Sequence, residues 1–546
     1  MAYSAAVLGG LAWVAAAQTT GAPSYSALLL DSPAPQAHPG RLGGGFGVRV
    51  GTAGDLNKDG INDVFVSAAA QDVGGLQGVG RVWVVDGKTR QVLAAFDHPA
   101  PQGGAWFGFA VAALGDINGD GFPDLAIAAP SQDVNGARDQ GKVYVFSGHT
   151  QSLLYTRNDP DPQAGAEFGR AMIATGDLNG DGVADFVVGA PRADSSSKTK
   201  VGAAYAFSGK DGSLLYALRA PDDLHNARFG QGLADPGDLN GDGVDEIVVG
   251  APRLDAGSTV GVGRAYVFDG KTGRLLLVLN DPQPQQGALF GMMNGERGAP
   301  GDVNGDGVPD ILVPAILGSA HGVAGAGRAY IFSGKDGSLL RTLDDPTEET
   351  SGMFGFAYAP AGDVDHDGKP DLIVTQAPFA DPSASDIGGA YVFDPRSGSV
   401  LLSLENPTGQ RGSDMGASLA SPGDVNGDHR PDYFLGAPRM DVGGNVDQGE
   451  VVVFQSHDVT RPTAPTIRGP RRTKSLSPTY LLSSQDPDNT PDELVYRCAF
   501  DSTHLHACPT RLSRRLRVGP HVLRAQAIDL TGNPSSVTLF RVLVVR

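Results

Sequence analysis

Asp177-Leu-Asn-Gly-Asp-Gly-Val-Ala-Asp185 is the stretch that decides the fold, because the chain repeats it at a fixed spacing. Versions of this nine-residue loop begin at Asp55, Asp116, Asp177, Asp238, Asp302, Asp363 and Asp424. Neighbouring copies begin 61 residues apart, except that 64 residues separate Asp238 from Asp302. A fixed period of this length predicts seven supersecondary units that bury their apolar side chains against one another.

The residue types of the loop predict calcium binding. Positions 1, 3, 5 and 9 carry Asp, Asn or Glu, and position 7 offers its backbone carbonyl. Calcium takes six to eight oxygen ligands of these kinds. An EF-hand would also need a bidentate Glu at position 12, whereas position 12 here is apolar, as in Val66, Ile127 and Val188. These apolar residues lie in runs that predict strands, so the ligand set ends at position 9.

The candidate ligands stand at positions 1, 3, 5, 7 and 9 of the seven loops, which predicts up to seven structural Ca²⁺ ions. They are Asp55, Asn57, Asp59, Ile61, Asp63, Asp116, Asn118, Asp120, Phe122, Asp124, Asp177, Asn179, Asp181, Val183, Asp185, Asp238, Asn240, Asp242, Val244, Glu246, Asp302, Asn304, Asp306, Val308, Asp310, Asp363, Asp365, Asp367, Lys369, Asp371, Asp424, Asn426, Asp428, Arg430 and Asp432. The fourth loop departs from the pattern with Glu246 at position 9, and the seventh with His429 in place of the position-6 Gly.

An alternative is a turn rich in Asp and Asn that holds no metal, since these are ordinary turn residues. Seven copies in phase favour the metal, because packed carboxylates repel one another unless a cation neutralises them. Gly at position 6 of six copies suits a tight turn with positive φ, and we expect the seventh loop, with His429, to be strained or to bind more weakly.

Apolar segments surround each loop. A Phe-Gly pair stands eight residues before the loop, as in Phe168-Gly169, and Gly-Ala-Pro or a variant follows it, as in Gly189-Ala-Pro191. An alternating segment such as Lys142–Phe146 comes next, and a Gly-containing turn leads to another such as Ser213–Ala217. These segments predict four short strands per repeat, which is the blade of a β-propeller.

The phase of the repeats predicts a closed ring. The seventh repeat reaches its third strand at Gly449–Phe454, and no fourth strand follows. Ser26–Asp31 precedes the first Phe-Gly pair and matches the fourth-strand pattern. We therefore expect Ser26–Asp31 to pair as the outer strand of the seventh blade, which hides the sheet edges. The alternative is an open array of blades.

Phe-Gly, the acidic loop and Gly-Ala-Pro together resemble FG-GAP repeats, as in the seven-bladed propeller of integrin α subunits. The resemblance covers residues 26–456. It implies calcium loops on one face and contacts with a ligand or partner on the opposite face. Integrin α propellers usually bear the calcium loop in only some blades, whereas all seven repeats here have a version of it. We expect the partner to be an extracellular protein or a glycan, held by the connections of that opposite face.

Three further segments are predicted outside the ring. Residues 1–17 contain an apolar run that ends at Ala15-Ala16-Ala17, which predicts a signal peptide. Residues 457–466 include a linker rich in Pro and Thr. Residues 467–546 carry short alternating runs and resemble the immunoglobulin-like β-sandwich modules of bacterial secreted proteins. Cys498 and Cys508, ten residues apart in an exported chain, predict a local disulfide.

Charge and motifs narrow the function. The net charge of −19 argues against nucleic acid as a partner, and no apolar run is long enough to predict a transmembrane anchor. The sequence shows no zinc-protease or nucleophile-elbow motif, so no catalytic residue is assigned. It predicts an all-β, secreted or cell-surface protein of bacterial origin that acts in adhesion or ligand binding. The alternatives are a polysaccharide-active lyase or hydrolase on a propeller scaffold, and a structural component of a surface or matrix.

Overall fold

A computed structural model describes residues 24–37, 45–221, 224–293, 300–348, 350–377, 387–457, 462–486, 494–528 and 534–546. These residues form 36 strands and contain no helix. The chain divides into a larger unit, Ser26–Val425 with Pro431–Gln455, and a smaller unit that consists mainly of Ser456–Arg546. The predicted signal peptide and residues 458–461 of the predicted linker lie outside the described residues.

The larger unit is built from four-stranded antiparallel sheets that succeed one another along the chain. The sheets are, in blade order, β2 (Arg49–Gly54), β3 (Asp63–Ala68), β4 (Arg81–Val85) and β5 (Val92–Asp97); β6 (Ala110–Gly115), β7 (Asp124–Ala129), β8 (Lys142–Phe146) and β9 (Leu153–Asn158); β10 (Ala171–Ala174), β11 (Phe186–Ala190), β12 (Ala203–Phe207) and β13 (Leu214–Leu218); β14 (Gly232–Gly237), β15 (Glu246–Gly250), β16 (Arg264–Phe268) and β17 (Leu275–Asn280); β18 (Pro300–Gly301), β19 (Asp310–Ala315), β20 (Arg328–Phe332) and β21 (Leu339–Asp344); β22 (Tyr358–Gly362), β23 (Asp371–Gln376), β24 (Gly389–Phe393) and β25 (Val400–Glu405); and β26 (Ser418–Gly423), β27 (Asp432–Ala437), β28 (Glu450–His457) and β1 (Ser24–Asp31).

Burial follows strand position within a blade. Every residue of the second strand β3 is buried, and the same holds for the second strands of the other blades. The fourth strand β5 alternates between buried and exposed residues near its end. A strand covered on both sides has a continuous apolar sequence, whereas a strand at the outer edge of a blade alternates between apolar and polar residues. The sequence pattern therefore distinguishes the buried second strand from the outer fourth strand.

The seven sheets close into a ring. The inner strand β2 of the first blade contacts the inner strands of both its neighbours, β6 and β26. The outer strand of the seventh sheet is β1, which pairs with β28. A cavity of about 360 Å³ is lined by residues from the innermost segment of every blade, among them Val50, Ala112, Met172 and Leu419. The all-β propeller predicted from the sequence is confirmed.

The Phe-Gly pair is the joint between blades. The Phe side chains and the equivalent Met415 are 0% exposed. The N–H of Phe168 donates to the carbonyl of Gln140 in the preceding blade at 2.9 Å, and the N–H of Gly169 donates to the carbonyl of Gly189 in its own blade at 2.9 Å. Gly169 has φ 90, and a Cβ atom there would lie 2.7 Å from the Cβ of Ala128, so the joint admits only glycine.

The same joint closes the ring. The N–H of Phe46, in the first blade, donates to the carbonyl of Gln448 in the seventh blade at 3.0 Å. Phe46 also packs edge-to-face on Trp83, with ring centroids 5.6 Å apart. The first and last blades are therefore joined by the hydrogen bond that joins neighbouring blades elsewhere.

The smaller unit contains two sheets around a common core. Its strands are β29 (Thr466–Arg468), β30 (Arg472–Thr473), β31 (Thr479–Ser483), β32 (Val495–Phe500), β33 (His506–Cys508), β34 (Arg511–Ser513), β35 (Gly519–Ile528) and β36 (Thr538–Val544). One sheet has the order β29-β31-β34, and the other has the order β30-β36-β35-β32-β33. Tyr480 from the first sheet and Leu523 from the second meet in the core. A disulfide joins Cys498 to Cys508. The immunoglobulin-like identity of this unit stays a prediction.

Within the described part of the chain, no helix is long and apolar enough to cross a membrane.

Glu450 gives the seventh blade a dependence on pH. In blades 1 and 5, an Arg at the start of the third strand pairs with an Asp at the end of the fourth, as in Arg328 Nε to Asp344 Oδ1 at 2.6 Å. In blade 7 the first residue of the third strand is Glu450, which is buried beside the carboxyl group of Asp31. Burial first, and then Asp31, raise the pKa of Glu450 to about 8.

We predict that Glu450→Gln reduces the loss of stability at alkaline pH. A carboxyl whose pKa is higher in the folded chain stabilises the fold fully below its unfolded pKa, and this contribution is lost as pH rises to about 8. Melting temperatures at pH 5 and pH 8.5 in saturating calcium measure the effect, with Glu405→Gln as the control. The variant should gain on the wild type as pH rises. A difference between the two that does not change with pH would contradict this role of Glu450.

Candidate metal centre

The acidic loops connect the first and second strands of all seven blades. Each loop follows the inner strand, and its position-9 residue begins or directly precedes the second strand, as Asp63 begins β3. Antiparallel strands of one meander place this connection at the same end of the blade as the turn between the third and fourth strands. The seven loops therefore share one face of the ring, which we call the acidic face.

Hydrogen bonds within the loop hold the carboxylate of position 1. In the first six loops one oxygen of this Asp accepts the N–H of position 5 at 3.0–3.2 Å, and the other accepts the N–H of position 6 at 2.7–2.9 Å. These bonds wrap the backbone around one carboxylate. Position 1 is thus fixed at the centre of the turn.

Positions 3 and 5 continue the turn in all seven loops. The Oδ1 atom of position 3 accepts the N–H of position 5 at 2.8–3.1 Å. The Oδ1 atom of position 5 accepts the N–H of position 7 at 2.9–3.0 Å. The second carboxylate oxygen of position 5 is left to other partners, and the position-3 residue adds an amide or carboxylate oxygen, so each loop presents oxygens from separate residues.

The carboxylate of position 9 is buried and ties two turns together. In the third loop, Asp185 is 0% exposed. Its Oδ2 accepts the N–H of Leu178 at 2.8 Å, and its Oδ1 accepts the N–H of Gly209 in the turn between the third and fourth strands at 2.9 Å. Asp63, Asp124 and Asp310 make the same two kinds of bond.

Burial raises the pKa of the position-9 carboxyls. The pKa rises to about 6 for Asp63, Asp124, Asp185 and Asp371, and to about 7 for Glu246. Desolvation is the first cause in each case, and other carboxylates of the same loop add to it. The carboxylates of these five loops thus repel one another.

The sixth loop departs from this arrangement because of one proline. The residue 24 positions after Asp371 is Pro395, where four of the other loops have Gly87, Gly148, Gly209 and Gly334 with a donating N–H. Proline has no N–H to donate. The Oδ1 atom of Asp371 is accordingly buried and has no hydrogen-bond partner among the residues that the structure describes. Carboxylate oxygens of Asp363, Asp365 and Asp371 lie within 4.8 Å of one another.

The residues of the sixth loop therefore fit a calcium ion. Three carboxylates converge, one of their oxygens is buried and unpaired, and hard oxygen ligands are the donors that Ca²⁺ requires. Asp365 stands where all six other loops have Asn, whose amide side chain is uncharged, so the sixth loop carries one more carboxylate. Asp367 also pairs with Arg396, whose Nη2 lies 2.5 Å from its Oδ2. The guanidinium group of Arg396 is thus one cation that the carboxylates of this loop attract.

Two features of the loops were missed in the sequence. Position 4 adopts positive φ in every loop, with Lys58 at 61° and His366 at 60° where five copies have Gly. In the seventh loop, His429 adopts φ 65° at position 6, where we expected strain. The hydroxyl of Ser456 lies 2.9 Å from both carboxylate oxygens of Asp428, which is buried, unlike the position-5 Asp of the other loops. The Gly pattern at position 4 was visible in the sequence, whereas the reach of Ser456 was not.

Comparisons with known proteins identify the repeats. Residues 46–85, 107–146, 170–207 and 234–268 match the FG-GAP repeat, and residues 302–374 match an FG-GAP-like repeat. Integrin alpha-5 of Xenopus laevis is 28% identical over 288 residues, which cover 50% of this chain and 25% of that protein. Integrin alpha-V of Gallus gallus is 32% identical over 239 residues, covering 42% and 21%. Integrin alpha-PS5 of Drosophila melanogaster is 33% identical over 164 residues, covering 28% and 16%. The chain thus spans a quarter or less of the length of these relatives.

We predict that Asp371→Asn and Asp185→Asn have different effects without calcium. In Asp371→Asn the new amide replaces an unpaired oxygen and removes a charge, so the melting temperature in EDTA should stay equal or rise. In Asp185→Asn the amide must face an N–H that was donating to oxygen, so the melting temperature in EDTA should fall, in line with a cost of about 1–3 kcal/mol.

In saturating calcium both variants should melt below the wild type, because each lacks one charged ligand. Differential scanning calorimetry in the two conditions makes the comparison. If Asp371→Asn melts equally far below the wild type in EDTA and in calcium, the sixth loop does not depend on a cation.

Proposed function

The chain is an FG-GAP repeat propeller similar to that of integrin alpha subunits, and from this premise we propose that it is an extracellular, calcium-dependent ligand-binding or adhesion protein. Calcium has a structural role in this proposal. The observation that carries it is the unpaired, buried Oδ1 of Asp371 among converging carboxylates.

Calcium would hold each acidic loop through the oxygens of positions 1, 3, 5 and 9 and the carbonyl of position 7. The ion would supply the positive charge that the position-9 carboxyls lack, and it would offset both their burial and the smaller repulsion from neighbouring carboxylates. The fourth and seventh loops are the weaker candidates. Glu246 adds a methylene group at position 9, and Ser456 already holds Asp428 in the seventh loop.

A metal in these loops would stabilise whole blades. In the first, second, third and fifth blades the position-9 carboxylate contacts both the acidic loop and the turn between the third and fourth strands. An ion bound to that carboxylate therefore fixes both hairpins of the blade. Because every blade also joins its neighbours through the Phe-Gly pair, the effect would reach the whole ring.

The ligand would bind on the face opposite the acidic loops. The second-third connections and the links between blades form that face, and their residue types vary from blade to blade while the acidic loops do not. Variable loops on a rigid scaffold are the usual position of recognition residues. The similarity to integrin alpha subunits supports ligand binding at the cell surface or outside the cell.

We predict that EDTA lowers the melting temperature by at least about 10 °C relative to 10 mM calcium. Extracellular calcium modules bind with dissociation constants of about 10⁻⁴–10⁻³ M. At ten times such a constant each site stabilises the fold by about 1.4 kcal/mol, so six or seven sites contribute roughly 8–10 kcal/mol. Magnesium is the control ion. An unchanged melt in EDTA would contradict the role of calcium.

Binding of the labelled protein to a panel of glycans and matrix proteins, in calcium and in EDTA, tests the ligand-binding role. We expect at least one ligand that is bound in calcium and released by EDTA. Absence of binding to every member of the panel in calcium would contradict an adhesion or ligand-binding function.

A further inference from the structure

The face opposite the acidic loops carries a cluster of arginines, one of which, Arg49, lines the cavity. Two positions of the blade lie at this end: the residues beside the Phe-Gly pair, where the inner strand begins, and the residue after Ala-Pro, where the second strand has ended. We call the cluster the arginine rim. It consists of Arg49, Arg170, Arg192, Arg228 and Arg253.

The backbone fixes the rim to the joints between blades. The N–H of Arg192 donates to the carbonyl of Ala166 at 3.2 Å, and the N–H of Arg253 makes the equivalent bond to Ala227 at 3.3 Å. The N–H of Arg228 donates to the carbonyl of Lys200 in the preceding blade at 3.2 Å. Arg228 also adopts φ 55°, an uncommon conformation for a side chain of its size. The guanidinium groups are therefore displayed from rigid positions.

The rim concentrates positive charge in a protein whose net charge is −19. Burial, and then Arg253 and Arg192, lower the pKa of Arg228 to about 10. Burial, and then Arg170, lower the pKa of Arg49 to about 10. Neighbouring arginines thus repel one another across the rim, which destabilises the cluster in the absence of a counter-charge.

Glu167 forms ion pairs with arginines of the rim, but it does not accept a hydrogen bond from every buried guanidinium donor. Glu167 lies 2.7 Å from Nη1 of Arg192 and 3.9 Å from Nη1 of Arg170. The Nε atoms of Arg192 and Arg228 are buried and have no hydrogen-bond partner among the described residues. Buried donors on cations are normally paired, so these two atoms are donors that a bound anion would satisfy.

Aromatic rings lie beside the arginines. The guanidinium carbon of Arg170 is 4.2 Å from the ring centroid of Phe109, and that of Arg49 is 5.4 Å from it. The ring of Trp106 is 5.8 Å from Phe109 and half-buried. Phe109 orients the two guanidinium groups through cation–π contact, while Trp106 adds a second aromatic surface at the same edge of the rim.

We infer that the arginine rim binds the carboxylate or sulfate groups of an acidic glycan. This inference rests on the proposed function, since it names the ligand class of the face opposite the acidic loops. Arginine forks match planar carboxylate and tetrahedral sulfate oxygens through two parallel hydrogen bonds. The aromatic edge favours a glycan over an acidic peptide, because the C–H face of a sugar ring packs on an aromatic surface while its acidic group reaches the arginines.

Isothermal titration in calcium with alginate oligosaccharides, dextran sulfate and neutral dextran tests the inference. We expect the wild type to bind at least one acidic glycan and to ignore dextran. The double variant Arg170→Gln/Arg228→Gln should weaken binding by about tenfold or more, because it removes two charge-assisted contacts. The matched control is Arg514→Gln/Arg515→Gln in the smaller unit, which should change binding by less than twofold.

A second variant tests the rim by a gain of affinity. Glu167→Gln removes the carboxylate that competes for Arg192 and Arg170, so it should strengthen binding to the same glycan. A folding defect does not produce such a gain. Binding to alginate or to dextran sulfate alone identifies the anionic group as carboxylate or sulfate, and either result supports the inference.

Three results would overturn it: equal binding by the double variant, weaker or unchanged binding by Glu167→Gln, or binding to poly-glutamate without binding to any acidic glycan. These failures are distinct from failure of the proposed function. If the panel yields a calcium-dependent ligand that is neutral, the ligand-binding role survives and the acidic-glycan inference falls. If nothing binds in calcium, both fall.

Discussion

The buried carboxylate at the start of each second strand is the constraint on which the larger unit depends. In blade 3, Asp185 holds the acidic loop through one oxygen and the next hairpin through the other. A carboxylate in this position must be matched by several donors or by a cation, since an ionised group without partners is costly to bury. The backbone supplies two N–H groups, and the neighbouring loop carboxylates leave the balance negative. In our proposal, calcium supplies the missing counter-charge on the acidic face.

Much of the fold was predictable because it repeats. A period of 61 residues, the Phe-Gly pair and runs such as Asp185–Ala190 predicted an all-β propeller of four-stranded blades, and the structure and the FG-GAP matches confirm it. The reason is physical: seven copies expose the same turn and the same buried strand in every blade. The second strand is buried throughout, so its continuous apolar run is easy to recognise in the sequence.

Differences between the blades were not predictable in the same way. Pro395 lies 24 residues from Asp371 and matters only because the two meet across a blade. Ser456 reaches Asp428 from the third strand of the seventh sheet. The arginine rim joins residues from three blades, which no local pattern brings together. Each of these depends on contacts between distant segments, whereas the ligand positions of a loop follow from its own nine residues.

The two ends of the blades differ in charge: the acidic loops lie at one end and the arginine rim at the other. We propose a different function for each end. In our proposal the acidic loops, with calcium, would stabilise the ring from one end, while the arginine rim and its aromatic edge stand at the end where recognition is proposed. The strands between the two faces are five or six residues long in most blades, which separates them by about 17–20 Å. A ligand on the rim is thus too far away to contact the ions directly, and calcium would act on binding through the rigidity of the blades.

The most direct test of this account is a count of bound calcium. Equilibrium dialysis of the purified protein against 1–10 mM calcium, followed by elemental analysis, gives the number of ions per chain. We expect about six or seven at saturation, with one or two of weaker affinity, in keeping with seven acidic loops of which two depart from the pattern. Less than one ion per chain at 10 mM would contradict the account, since the buried carboxylates would then have to be satisfied without a metal.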